Sequence, residues 1–69
     1  MAAEIKAPRN EILWVTFHNT KGDPRFIITS TPFRDMHFLY EIIDGKPKRI
    51  AKDQSPGKLI EEHEVYESL

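Results

Sequence analysis

An Asp44-Gly45 pair lies between the apolar run HFLYEII, residues 37 to 43, and the basic run KPKRIAKD, residues 46 to 53. Asp-Gly supplies the positive φ angles of a two-residue type I′ turn, so it predicts a tight hairpin with a fixed register. Ile43 then pairs with Lys46, Ile42 with Pro47, Glu41 with Lys48 and Tyr40 with Arg49. An unbroken ladder goes on to pair Leu39 with Ile50, Phe38 with Ala51 and His37 with Lys52. Side chains alternate across the pleat, so each falls on one of two faces. Phe38, Tyr40, Ile42, Pro47, Arg49 and Ala51 share the first. His37, Leu39, Glu41, Ile43, Lys46, Lys48, Ile50 and Lys52 share the second.

The first face offers two aromatics and an isoleucine, a suitable core surface. The second has Leu39 and Ile50 at its centre within a ring of charge, which suits solvent or a partner. Pro47 has no N–H to donate to a further strand, so the basic strand is expected at a sheet edge. Edge lysines there also suppress aggregation, the simpler role for this cluster.

Upstream, EILWVTFH (11 to 18) and RFIITST (25 to 31) are rich in β-branched and aromatic residues and predict two strands around the turn cluster at 19 to 24. Residues 1 to 10 read as a flexible arm and 11 to 69 as a single domain. Residues 32 to 43 admit two readings: Thr31 and Pro32 can open a helix, but alternation over 37 to 43 favours a strand. Near the C-terminus, Ser55 and Pro56 fit the N-cap and first helical position, with Glu61 and Glu62 toward the positive end of the dipole. Leu59, His63 and Tyr66 form the stripe of a helix of about three turns.

The predicted fold is α+β: a four-stranded antiparallel β-meander with a C-terminal amphipathic helix packed on one face. The alternatives are a small SH3-like barrel, or a ββ-α-β-α order with residues 32 to 43 helical. Both early strands are apolar on both faces, and one helix cannot cover two faces of a sheet. A barrel, a second copy or another protein would cover the other.

Composition narrows the chemistry. With 69 residues the chain is one small domain of modest stability. It has no cysteine, so disulfides and thiolate metal sites are excluded. His18, His37 and His63 lack the spacing of a helical metal site, the three glycines form no phosphate loop, and no serine lies in a nucleophile setting. No cofactor and no enzymatic activity are expected. Neither a signal peptide nor a membrane-spanning run is present, which predicts a cytoplasmic protein without membrane contact.

The leading expectation is a non-enzymatic protein-interaction or accessory module. It would meet another protein or a second copy of itself through the face of His37, Leu39, Glu41, Ile43, Lys46, Lys48, Ile50 and Lys52. The alternative is nucleic-acid binding through Lys46, Lys48, Arg49, Lys52 and Lys58. Two features weigh against that alternative. The unbroken register separates the lysines from Phe38 and Tyr40, and the C-terminal segment from Leu59 carries four acids and no Lys or Arg.

Overall fold

The computed structural model describes residues 5 to 69. Strands β1 (Ile12–His18), β2 (Pro24–Thr31), β3 (Arg34–Ile43) and β4 (Lys46–Asp53) form one open antiparallel sheet in the order β1-β2-β3-β4. A helix, α1 (Pro56–Glu62), and a 3₁₀ turn (Tyr66–Ser68) follow. Residues 34 to 43 are therefore strand, not helix. The arm expected over 1 to 10 falls partly on residues 1 to 4, which lie outside the described residues.

The turns form for local reasons. Asp44 and Gly45 take φ values of 53° and 78°, the type I′ geometry their identities favour. Between β1 and β2, the Asn19 side-chain oxygen accepts from the backbone N–H groups of Lys21 and Asp23, each at 2.9 Å. Gly22 supplies the left-handed position of that loop, φ 86°.

From the Asp44-Gly45 turn the ladder runs as the sequence predicts through Ile43–Lys46, Ile42–Pro47, Glu41–Lys48 and Tyr40–Arg49. There a β-bulge intervenes. Leu39 pairs with Ala51, Phe38 with Lys52 and His37 with Asp53, leaving Ile50 unpaired. One inserted residue reverses the facing of everything beyond it. Lys52 thereby joins Phe38, Tyr40 and Arg49, and Ala51 joins Leu39.

The helix lies on the Leu39 side, opposite to the expectation. Leu39 is fully buried with Phe17, Phe26, Ile28, Leu59 and Val65, while Val15, Ala51, Ile60 and Leu69 pack around them. On the other side Ile27, Tyr40 and Ile42 form a second buried cluster, against which Ile5 and Phe38 pack. The segment preceding β1 thus helps cover the second face. A turn at Pro8–Glu11 aims it there: Glu11 N–H donates to the Pro8 carbonyl at 3.1 Å, and Asn10 takes φ 69°.

The helix is shorter than its sequence pattern suggests. Ser55 occupies the N-cap without a side-chain capping bond; the Asp53 carboxylate instead accepts from Ser55 N–H at 2.8 Å. After Glu62 the chain closes in a Schellman motif. Val65 N–H donates to the Ile60 carbonyl and Glu64 N–H to that of Glu61, with Glu64 left-handed at φ 48°. This reversal turns Val65 inward beside Leu59 and leaves His63 and Tyr66 exposed, so the predicted Leu59–His63–Tyr66 stripe does not form. It also places Glu61 and Glu62 in the last helical turn rather than near the first.

Candidate functional site: two unlike sheet edges

The eight residues expected to form an outward face do not form one. Leu39, its centre, is fully buried beneath Leu59 and Val65. Lys52 lies on the opposite face and Ile50 stands out of the ladder at the bulge. His37, Glu41, Ile43, Lys46 and Lys48 remain on the helix side, at the margins of a covered core. His37 presents Nδ1 to the Gln54 carbonyl at 3.3 Å and its ring to Trp14. The five bases are divided likewise: Lys46 and Lys48 on the helix side of β4, Arg49 and Lys52 on the other, and Lys58 on α1.

The two sheet edges differ sharply in chemistry. The β4 edge carries four cations, Pro47 and a bulge, each a device that discourages strand addition. β1, ILWVTFH, has no Lys, Arg, Asp, Glu or Pro. Its first three residues are large, apolar and open to solvent: Ile12, Leu13 and Trp14 are 55%, 40% and 52% exposed. Trp14 falls at a register shift between Leu13 and Val15, which removes it from the ladder. Its indole meets His37 edge-to-face, with ring centroids 5.6 Å apart. Ile12 pairs with Ser30, itself paired with His37, so Ile12 and Trp14 flank one corner of the helix-side face. Phe33, 95% exposed at the tip of the β2–β3 turn, lies at the same end of the sheet.

No family model matches this chain, and no curated protein or solved structure matches it either.

The second face has a polar network at its centre. Glu11 Oε1 accepts from the hydroxyls of Thr29 and Tyr40, each at 2.6 Å. Glu11 Oε2 pairs with Arg49 Nη2 at 3.2 Å, and Arg49 also donates to the Tyr40 hydroxyl at 3.0 and 3.3 Å. The Glu11 side chain is only 8% exposed and Thr29 is fully buried. Burial pushes the Tyr40 phenol above its ordinary value, and its bond to the Glu11 carboxylate acts in the same direction. The Tyr40 bond in turn raises Arg49. These groups satisfy one another, so the network reads as an anchor for the segment preceding β1. Sequence reasoning missed it because Glu11 opens a strand-like run and looks like an exposed flank.

Among the described residues no group of His, Asp and Glu is placed to hold a metal ion, and no helix is long and apolar enough to cross a membrane.

Proposed function

We propose that this chain is a small non-enzymatic protein-interaction module that associates through Ile12, Leu13 and Trp14, with a second copy as the occupant. The carrying observation is the asymmetry of the edges. β4 is guarded by charge and proline, whereas β1 exposes three large apolar side chains in succession and carries no Lys, Arg, Asp or Glu. A two-fold interface sets a patch against its own image, and an uncharged row meets its image without repulsion. The bulge at Trp14 interrupts the regular edge, so contact would run through side chains rather than an extended ladder. Tryptophan is the residue type most enriched among interface anchors, because it buries a large rigid surface.

Trp14 is the single tryptophan of the chain, so its emission reports on this site alone. Sedimentation velocity from micromolar to submillimolar concentration should show a shift from monomer to dimer, with a concurrent blue shift of emission. Trp14→Glu should remain folded and monomeric. A wild-type chain that stays monomeric, with water-exposed emission throughout, would contradict the proposal.

A further inference from the structure

At the same end of the sheet, on the face away from α1, lies a groove of about 430 Å³ between the β2–β3 turn and the far ends of β3 and β4. We propose that this groove binds single-stranded nucleic acid, taking an unpaired base on Phe33 and flanking phosphates on Arg34 and Lys52. This site goes beyond the β1 association and does not depend on it.

Three observations carry the assignment. First, Phe33 is 95% exposed, held at the turn by the preceding Pro32. The turn is tied down by Thr31, whose hydroxyl donates to the Arg34 carbonyl at 2.7 Å. A flat ring kept in water on a braced turn is a stacking platform, and every base presents a π-face to such a ring.

Second, the bulge at Ile50 brings Lys52 opposite Phe38. Phe38 forms the groove wall, with the Arg49 guanidinium over its ring at 4.1 Å from the centroid. Phe38 and Lys52, which an unbroken ladder would separate, therefore share one face beside Arg49. Among the described residues the lining includes two cations and no carboxylate, so its charge complements a polyanion.

Third, the acid-bearing helix packs by Leu59 on the opposite face of the sheet, against Leu39. Glu61 and Glu62 on the helix, and Glu64 and Glu67 in the segment that packs by Val65 on the same face, are separated from the groove by the sheet. One inserted residue thus moves Lys52 to the aromatic side, while Lys46 and Lys48 stay opposite, and the side on which the helix lies keeps its acids away from the groove. An acidic peptide would satisfy the charge but would leave the Phe33 ring without a flat partner.

Fluorescence anisotropy with short labelled single-stranded DNA and RNA probes tests the site, with polyglutamate of equal length as competitor. Saturable binding at low salt is expected, weakening as salt rises with a log–log slope of about −0.7 per phosphate contacted. Phe33→Ser, at a side chain that touches no core, should lower affinity by about tenfold, as loss of one stacked base does. Arg34→Glu with Lys52→Glu should abolish binding, while Lys46→Glu, on the other face, should have little effect. Absence of saturable binding to either probe would overturn the proposal. So would binding that Phe33→Ser leaves unchanged, or that polyglutamate displaces as readily as unlabelled oligonucleotide.

Discussion

Replacing Leu39 with alanine should lower the unfolding free energy by about 2–5 kcal/mol, the range for a fully buried leucine. The side chain sits at the meeting of Phe26 and Ile28 with Leu59 and Val65, the contact that fastens the C-terminal segment to the sheet. A domain of this size commands only about 3–10 kcal/mol in all, so Leu39→Ala should leave a substantial unfolded population. Leu39→Asp should not fold. Ile50, out of the ladder and 37% exposed, is the matched control. Its replacement by alanine should cost about 1–2 kcal/mol, because the side chain is only partly withdrawn from water and leaves no enclosed cavity. Urea titrations followed by circular dichroism measure both. An Ile50→Ala loss as large as that of Leu39→Ala would mean that the ladder continues unbroken past Arg49.

Glu11→Ala should cost about 2–4 kcal/mol despite its position ahead of β1. Its carboxylate accepts from a fully buried Thr29 hydroxyl and from Tyr40, which is 4% exposed. Each donor left without a partner costs about 1–3 kcal/mol, and water cannot readily take the vacated place. Glu11→Gln keeps an acceptor and should lose markedly less. The same network shapes the alkaline limit. The Tyr40 pKa is raised above 10.0 in the folded chain, so the folded state holds the proton more tightly than the unfolded state. The resulting stabilisation is present in full below about pH 10 and is lost as pH rises through the raised value. Tyr40→Phe should remove that alkaline dependence. Equal stability of Glu11→Ala and wild type would show that the network contributes nothing.

The readable parts of this fold were those where residue identity leaves the backbone little choice. Asp44-Gly45 specifies its turn, and with it four cross-strand pairs. The 19 to 24 turn cluster and the β-branched runs beside it marked the first hairpin. What could not be read has a common physical cause. A bulge adds a residue of no distinctive type: Ile50 is as good a strand residue in the ladder as out of it. Because β3 is apolar on both faces, alternation could not reveal which face the helix covers. Counting cations around Leu39 pointed to the wrong one, since Lys46 and Lys48 lie at the sheet margin and Lys52 crosses over. The helix stop was equally unmarked, because Glu64 holds the left-handed position where glycine is the usual signal. The candidate surfaces depended on these features. Trp14 was visible as a strand residue, but its exposure follows from β1 being an edge and from its own displacement from the ladder. Phe33 was visible only as part of a connection or of a helix over 32 to 43.

Helix α1 covers the Leu39 face and leaves Phe38, Arg49 and Lys52 together on the other. Methyl NOESY spectroscopy on the wild-type chain tests this most directly. The predicted result is cross-peaks from Leu59 to Leu39 and Ile28, with Phe38 ring protons reaching the Lys52 side chain. Cross-peaks from Leu59 to Ile27 and Ile42 instead, with Phe38 facing Ala51, would contradict it.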